Sequence, residues 1–232
     1  MRITGREFEA VASHAREAYL RYSFTKGTEQ EVGFLIEELR LRPGMRLLDV
    51  GCGPGRHSHA FAARGIEVVG VDIAMAFLQV AGEGCWVRGD ARRLPFPPGS
   101  FDAAVSLCQG GFGLVGGEDD AGVVTEMAHT VRKGGLIALS AFSAYFAVRH
   151  LEGGDTFDAG SGVNHERAEV RDPSGQPQEF DLWTTCFTPR ELRLIAAGAG
   201  LDVCGLWSVT PGSYERRVTD LDHPEFLLVA RV

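Results

Sequence analysis

Closely spaced glycines and acidic residues at regular intervals are the parts of this sequence best suited to binding chemistry. The run Asp-x-Gly-x-Gly-x-Gly begins at Asp49, and its glycines are Gly51, Gly53 and Gly55. Glycine lets a backbone turn sharply and approach a ligand closely. A short apolar run precedes these glycines and a helical stretch begins near Arg56. The sequence therefore predicts strand, tight turn and helix, which is the first half of a βαβ unit.

Two further acidic residues lie where the following strands are expected to end. Asp72 closes the apolar run EVVGVD, and Asp90 follows the third predicted strand. A carboxylate at the tip of the second strand can accept hydrogen bonds from both hydroxyls of a ribose. One at the tip of the third could accept a hydrogen bond from an adenine amino group, with Ile73 and Ala91 beside the ring. Asp72 could instead cap a helix, and Asp90 could belong to a turn. Their position at successive strand tips favours the binding interpretation.

The elements that must position these residues alternate regularly. Apolar runs predict strands at 46–50, 67–72, 85–89, 101–108 and 136–140, and helical stretches lie between most of them. The runs are apolar throughout, as in strands buried on both faces. An α/β fold with a parallel sheet between two layers of helices is therefore predicted. Before the sheet, an amphipathic segment covers 8–22, and Thr28 with Glu31 predicts a helix that begins with a capping box.

The last third of the chain has a different composition. Residues 152–181 hold eight acidic residues and two arginines, which gives −6 of the net charge of −8. A turn at Asp172–Gly175 between two extended stretches predicts a hairpin. Thr188, Pro189 and Glu191 predict the start of a capped helix. Two last strands follow it, as an antiparallel pair at the sheet edge.

Charge and cysteine content limit the classes of partner. A net charge of −8 argues against nucleic acid and anionic membranes, which bind through Lys and Arg. The five cysteines form no CxxC pair and are odd in number, which favours reduced thiols in the cytoplasm. Four of them, Cys52, Cys85, Cys108 and Cys204, lie in or beside apolar runs and are expected in the core. No secretion signal and no membrane span are expected, because no apolar run is long enough.

Five stretches together resemble class I S-adenosylmethionine-dependent methyltransferases in their order and spacing. They are LLDVGCGPG (47–55), VVGVD (68–72), GDARRLPF (89–96), FDAAVSL (101–107) and VRKGGLIALS (131–140). FTPRELRLIAAGAGL (187–201) resembles the helix before the last two strands in many small-molecule members. The resemblance implies a Rossmann-like, doubly wound, seven-stranded sheet, mostly parallel with an antiparallel edge strand. A single domain over 1–232 is expected, with an N-terminal helical cap (1–45), a cofactor-binding core (46–148), an inserted hairpin lid after strand five (149–187), and a C-terminal helix with edge strands (188–232).

The resemblance also implies which residues bind S-adenosylmethionine. The three glycines would contact its methionine part, and Asp49 would order their loop and reach the amino group through water. Asp72 would hold the ribose, Asp90 the adenine, and Cys108 would face the sulfonium. The N-terminal segment often closes over the cofactor in related enzymes. The full predicted set is Asp49, Gly51, Gly53, Gly55, Asp72, Ile73, Asp90, Ala91, Cys108 and Tyr22.

The expected reaction is in-line methyl transfer to an N, O or C nucleophile of a small molecule. Because the sulfonium methyl is already activated, orientation can supply most of the catalysis, and a base is needed only for a protonated nucleophile. The candidates for catalysis are His57, Gln109 and His165, although His57 could be a packed or capping residue and His165 could be exposed. No metal site is expected.

The acceptor is expected to be a small molecule. An N-P-P-Y motif after strand four is absent, which counts against DNA-adenine and protein-glutamine acceptors, and the acidic 152–181 segment favours a neutral or cationic one. Two alternatives remain open. One is a protein that binds S-adenosylmethionine without turnover, such as a sensor. The other is a nicotinamide-dependent oxidoreductase, which is disfavoured because Arg56 stands where that fingerprint requires its third glycine. The oligomeric state is not predicted.

Overall fold

The computed structural model describes residues 7–108, 110–114 and 119–232. The helices are α1 (Glu7–Ala15), α2 (Thr28–Glu38), α3 (Arg56–Ala62), α4 (Met75–Val80), α5 (Asp120–Thr130), α6 (Ala144–Arg149) and α7 (Pro189–Gly198), with 3-10 turns at Arg16–Arg21 and Ser23–Thr25. The strands are β1 (Arg46–Val50), β2 (Glu67–Asp72), β3 (Cys85–Arg88), β4 (Phe101–Ser106), β5 (Val131–Ser143), β6 (Thr156–Asp158), β7 (Val163–Arg171), β8 (Pro177–Phe187), β9 (Asp202–Thr210), β10 (Ser213–Arg217) and β11 (Glu225–Arg231).

The main sheet has the strand order β10-β9-β11-β5-β4-β1-β2-β3. Strands β1 to β5 run parallel to their neighbours in this path, whereas β11 is antiparallel to both β5 and β9. The strand order reverses between β1 and β4, so their carboxyl ends border the crevice where open α/β sheets bind ligands. The predicted mostly parallel, doubly wound sheet is confirmed. The path has eight strands where seven were expected, because β10 was not predicted and lies outside the final pair.

Both faces of the central strands are buried, as their apolar composition predicted. In β1, Leu48 and Val50 point into a cluster that also contains Val123 and Met127 of α5. Leu47 points to the other face, into a cluster that contains residues of α2 and α3, among them Val32, Leu35 and Phe61. Because successive side chains of a strand face opposite sides, β1 packs into both clusters. This packing fixes the position of its carboxyl end, where the glycine loop begins.

The predicted hairpin is present as β7 and β8, which pair antiparallel along their length. Its turn is closed by Gly175, whose backbone N–H donates to the carbonyl of Asp172 over 2.9 Å. The N-terminal segment lies against this hairpin. The backbone N–H of Arg171 donates to the Tyr22 hydroxyl (3.1 Å), and Arg21 donates to the Pro173 carbonyl (3.1 Å). The two elements therefore form one continuous cover beside the sheet.

Several local expectations were wrong. Helix α2 begins at Thr28 as expected, but without a side-chain cap, because the Thr28 hydroxyl donates to the Thr25 carbonyl and Glu31 points into the interior. The amphipathic segment at 8–22 is helical only as far as Ala15, and a 3-10 turn at Arg16–Arg21 continues it. Cys85 and Cys204 are exposed rather than in the core. Among the described residues, no helix is both long and apolar enough to cross a bilayer.

The capping box at the start of α7 is confirmed and is open to test. Thr188 Oγ1 accepts the Glu191 N–H over 3.3 Å, and the Glu191 carboxylate accepts the Thr188 N–H over 2.6 Å. We expect Thr188→Ala to lower the free energy of unfolding by about 1 kcal/mol, because one helix N–H loses its acceptor. Thr188→Ser keeps that acceptor and should lower the free energy of unfolding by less than half as much as Thr188→Ala. Equal losses in both variants, measured by urea unfolding, would refute this role.

Candidate functional site

The three glycines are required for different reasons. All have positive φ, at +73° for Gly51, +54° for Gly53 and +79° for Gly55. A Cβ at Gly51 would lie 1.7 Å from the carbonyl carbon of Gly110, and one at Gly55 would lie 2.7 Å from the Trp86 ring. A Cβ at Gly53 would meet nothing closer than 3.9 Å. Two of the glycines therefore permit close packing within the protein, and the third leaves open space beside the loop.

The carboxylates at the first two strand tips hold this loop in place. Asp49 accepts a 2.6 Å hydrogen bond from the Ser58 hydroxyl on α3. Asp72 accepts one from the Gly53 N–H (2.8 Å) and one from the Ala74 N–H (2.7 Å). Burial raises the pKa of both carboxyls, that of Asp72 to about 6. Asp72 therefore joins the glycine loop to the start of α4.

Asp90 belongs to a turn after β3 and is paired within it. Its carboxylate accepts hydrogen bonds from Arg92 Nε (2.8 Å) and Nη2 (2.6 Å), and also from the Arg92 backbone N–H (3.0 Å). These three hydrogen bonds hold the turn together. Asp90 nevertheless borders the same cleft as Asp72.

We call the space beside the loop the glycine-loop cleft. It opens to solvent with an empty volume of about 880 Å³. It brings together seven of the predicted cofactor-binding residues: Gly51, Gly53, Asp72, Ile73, Asp90, Ala91 and Cys108. Phe8, Tyr19 and Phe24 of the N-terminal segment cover it. Among the described residues, three of the predicted set do not line it, namely Asp49 and Gly55 behind the loop and Tyr22 in a neighbouring pocket.

The three catalytic candidates differ in placement. His57 is buried and lines the glycine-loop cleft, with its Nε2 2.6 Å from Glu31 Oε2. His165 lies on the hairpin, where it contacts Asp181 over 2.8 Å and stacks on Trp183, away from the cleft. Gln109 lies outside the described residues. The structure thus brings only His57 of the two described candidates to the site, and there it is bound to a carboxylate.

A buried ion pair that sequence reasoning missed lies under the cleft. Arg56 Nη1 donates to Glu31 Oε2 (2.8 Å) and to the Thr28 hydroxyl (2.7 Å), and its Nη2 donates to the Cys108 sulfur (2.7 Å). The same glutamate accepts from the Gly212 N–H (2.7 Å). Its pKa falls to about 2, because His57 and Arg56 stabilise the charged form against burial. An ionised carboxylate only accepts hydrogen bonds, so His57 Nε2 carries a proton.

This cluster has the residue types of a metal site but already contains a cation. Ligand atoms of Glu31, His57 and Cys108 lie within 4.8 Å of one another. The Arg56 guanidinium, however, bonds both Glu31 and Cys108 and supplies the positive charge there. Burial raises the pKa of the Cys108 thiol well above its usual value. In this arrangement Arg56 occupies the position of the cation, and the cluster holds side chains of α2, α3 and the end of the central sheet together.

A second, apolar pocket adjoins the glycine-loop cleft. Its empty volume, open to solvent, is about 900 Å³. The N-terminal segment and the hairpin supply most of its wall, and Cys108, Phe142 and Glu225 lie on the sheet side. Cys108 and the rings of Phe8, Tyr19 and Phe24 border both spaces. The backbone of Cys108 adopts a left-handed φ of +49°, and its N–H donates to the Ser140 hydroxyl over 2.8 Å. The glycine-loop cleft and the apolar pocket therefore meet at Cys108.

Comparison with known proteins agrees with this geometry. Residues 47–135 match a family described as a methyltransferase domain. A demethylmenaquinone methyltransferase of Renibacterium salmoninarum is 33% identical over 47% of this chain and 46% of its own length. A malonyl-(acyl-carrier protein) O-methyltransferase of Serratia marcescens is 30% identical over 69% of this chain and 62% of its own length. The CcbJ methyltransferase structure from Streptomyces caelestis has a TM-score of 0.79 at 19% identity, covering 96% of this chain and 97% of that one.

The matched segment is the cofactor-binding part of the fold. The predicted resemblance to class I S-adenosylmethionine-dependent methyltransferases, the fold class and the cofactor are confirmed. The chain spans between 46% and 62% of the length of the two relatives above.

Glu31 gives a test of the buried ion pair. We expect Glu31→Gln to lower the free energy of unfolding at pH 7 by about 3–5 kcal/mol, because it leaves the Arg56 charge buried and unpaired. The pKa of Glu31 is about 2 in the folded protein against an ordinary 4.5. Its stabilisation is therefore complete above pH 4.5 and is lost as the pH falls through about 2.

Urea unfolding of the wild type and the Glu31→Gln variant from pH 7 to pH 2 measures this difference. The exposed pair of Glu29 with Arg64 gives the matched control, because Glu29→Gln should change stability by at most about 1 kcal/mol. If the difference in free energy of unfolding between the wild type and Glu31→Gln stays constant as the pH falls, the assigned ion pair is contradicted.

Proposed function

We propose that this protein transfers a methyl group from S-adenosylmethionine to a small molecule. The cofactor binds in the glycine-loop cleft and the acceptor in the apolar pocket. The observation that carries the proposal is the contact between the two spaces at Cys108, which lines both. A donor in one and a nucleophile in the other can meet there.

The residues of the glycine-loop cleft fit the cofactor. The open space beside Gly53 lets a ligand approach the loop backbone, since even a Cβ would meet nothing within 3.9 Å there. In this proposal Gly51 and Gly53 contact the methionine part, and Asp72 with Ile73 holds the ribose. Asp90 with Ala91 binds the adenine, while Asp49 and Gly55 support the loop from behind. When bound, S-adenosylmethionine supplies an activated methyl group on a sulfonium with a neutral leaving group.

The chain's own contribution is orientation and exclusion of water. The Tyr19 ring packs against Phe77, with centroids 4.8 Å apart, and closes the cleft from above. Tyr22 lines the apolar pocket rather than the cleft, so we propose that it faces the acceptor. Holding a nucleophile in line with the methyl group can account for most of the rate enhancement in such a reaction.

We propose that the hairpin acts as the lid expected from the sequence. Its residues line the apolar pocket, and its segment 152–181 carries a charge of −6, from eight acidic residues and two arginines. Such a field favours neutral or cationic acceptors and repels phosphorylated ones. The two relatives act, by their names, on demethylmenaquinone and on a malonyl group carried by acyl-carrier protein. The identical stretches cover only part of each protein, so neither acceptor is transferred to this chain.

We further propose that the chain is one domain that works in the cytoplasm, without nucleic acid as a partner. Its five cysteines are free thiols, which supports a reducing compartment. Arg56 supports the methyltransferase over the nicotinamide alternative, because it fills the third fingerprint position with a buried, paired side chain. A turnover assay separates the enzyme from a sensor that only binds the cofactor.

Gly53 and Gly44 form a matched pair for testing the cofactor site. Both have positive φ, at +54° and +84°, and neither has a neighbour that a Cβ would clash with. Valine at either position should cost about 1–2 kcal/mol of stability through backbone strain. Only Gly53→Val should also reduce affinity for S-adenosylmethionine, by at least a hundredfold, because its side chain enters the glycine-loop cleft. Calorimetry measures both, and equal affinities would show that the loop does not contact the cofactor.

Leu182 gives a test of the lid. It lines the apolar pocket from the hairpin, so Leu182→Trp should fill acceptor space and lower kcat/KM at least tenfold on any small molecule that the wild type methylates. Affinity for S-adenosylhomocysteine should change by less than twofold, because Leu182 does not border the glycine-loop cleft. The control is Leu194→Trp on α7, where the leucine is 57% exposed. Undiminished turnover in Leu182→Trp would place the acceptor elsewhere.

A further inference from the structure

Glu225 is a buried carboxylate on the sheet side of the apolar pocket. It is the first residue of β11, where it pairs with Phe142 of β5 and Val209 of β9, and it is 2% exposed. Its Oε2 has no hydrogen-bond partner among the residues that the structure describes. A buried carboxylate oxygen without such a partner is costly. The fold retains one on the wall of a pocket that is otherwise mostly apolar.

Within the described part of the chain, Glu225 forms no ion pair. Arg56 acts on it only through its charge, because the hydrogen bonds of Arg56 go to Thr28, Glu31 and Cys108. Burial and the negative charge of Glu31 raise the pKa of Glu225 to about 7, and a hydrogen bond from the Ser140 hydroxyl opposes that rise. The ionisable groups of Cys108 and Tyr214, which also face Glu225, remain protonated because burial raises their pKa values.

The rest of the pocket wall suits an organic cation. Glu166 of the hairpin adds a carboxylate, whereas the charge of Glu169 is already paired with Arg171, and no described residue of the wall is Lys, Arg or His. The rings of Tyr19, Tyr22 and Phe24 line the same space. Aromatic faces attract cations, and most strongly where water is excluded. Charge and ring content therefore favour a nitrogen base carried on an apolar body over a neutral alcohol.

We propose that Glu225 binds the nucleophilic nitrogen of the acceptor, so that the acceptor is an amine on an apolar skeleton. This inference rests on the proposed function. An ammonium group donates to the unpartnered oxygen of Glu225, which accounts for the buried carboxylate. An alcohol could donate one hydrogen bond there but would leave the negative charge uncompensated.

The same carboxylate can take the proton that the reaction releases. An ammonium nitrogen has no lone pair, so it must lose a proton before methylation. Glu225 accepts that proton, and a group that titrates near pH 7 suits this task. The nitrogen lone pair then forms the bond to the methyl carbon, the electrons of the broken carbon–sulfur bond remain on sulfur, and the proton passes from Glu225 to water. Atoms and charge balance without a further reactant.

Paired probes test the inference by binding. The full chain is saturated with S-adenosylhomocysteine and titrated by calorimetry with butylamine, phenethylamine and tryptamine, and with the alcohol that matches each amine. We expect at least one amine to bind ten times more tightly than its alcohol, which corresponds to about 1.4 kcal/mol. Glu225→Gln should reduce that preference to less than threefold. Its affinity for S-adenosylhomocysteine should remain within twofold of the wild type, which reports an intact fold.

Glu169→Gln is the matched control, because Glu169 lines the same pocket but is exposed and paired with Arg171. It should keep the amine preference. If Glu225→Gln loses affinity for S-adenosylhomocysteine and so does not fold, Glu225→Asp decides. This variant keeps the charge but withdraws it by one methylene, and should lose only part of the preference.

Three results would overturn the inference. They are no amine preference in any pair, a full preference retained by the Glu225 variants, and a preference lost in Glu169→Gln. Failure of the wild type to bind S-adenosylhomocysteine at all would instead contradict the proposed function.

Discussion

The buried ion pair between Arg56 and Glu31 is the interaction on which the site depends. Arg56 is the first residue of the helix after the glycine loop, and Glu31 belongs to the helix that follows the N-terminal segment. Through Glu31 the pair also holds Gly212, in the turn between β9 and β10. Through its second nitrogen it reaches Cys108 at the end of the central sheet. One pair of charges thus joins α2, the start of α3 after the glycine loop, the end of the central sheet and the turn between β9 and β10.

Two buried carboxylates near this pair have opposite electrostatic environments. Glu31 has a paired charge and a pKa of about 2, whereas Glu225 has no direct cationic partner and a pKa of about 7. The two pKa values separate because burial and the negative charge of Glu31 raise that of Glu225, whereas Glu31 receives the hydrogen bonds of Arg56 and His57. Environments that shift two titratable groups in opposite directions can give them different roles. The paired carboxylate stabilises the fold, and in our proposal the other binds the acceptor.

Local sequence patterns predicted the features that depend on neighbouring residues, such as strand ends and one helix cap. The apolar runs gave β1 and β2 with their observed ends, and the parallel arrangement put Asp72 and Asp90 at the same edge of the sheet. Thr188 and Glu191 formed the expected capping box. Thr28 and Glu31 have the same spacing, yet Glu31 bonds Gly212, a residue 181 positions away. A pattern confined to four residues cannot distinguish a cap from a partner so distant.

Arg56 and Glu225 show the same limit. The sequence distinguished Arg56 only as a residue that departs from a glycine fingerprint, although its guanidinium bonds both Glu31 and Cys108. Glu225 is followed in β11 by five apolar residues, and only the folded arrangement of β5, β9 and β11 shows that its Oε2 has no hydrogen-bond partner among the described residues. Cys85 and Cys204 were assigned to the core from neighbours in sequence, but their strand positions face solvent. Contacts between side chains that only the folded topology brings together could therefore not be predicted from local sequence patterns.

The apolar pocket and the glycine-loop cleft are encoded by different parts of the chain. Of the described residues that line the apolar pocket, only Cys108 falls within 47–135, the segment shared with the methyltransferase-domain family. The other lining residues belong to the N-terminal segment, the hairpin, β5, β11 and the turn after β9. Under the proposed function, substitutions there would alter which molecule is accepted while the glycine loop stays intact. Proteins of common descent would then differ in acceptor through changes in the covering elements alone, and similarity across the shared segment would carry little information about what each of them methylates.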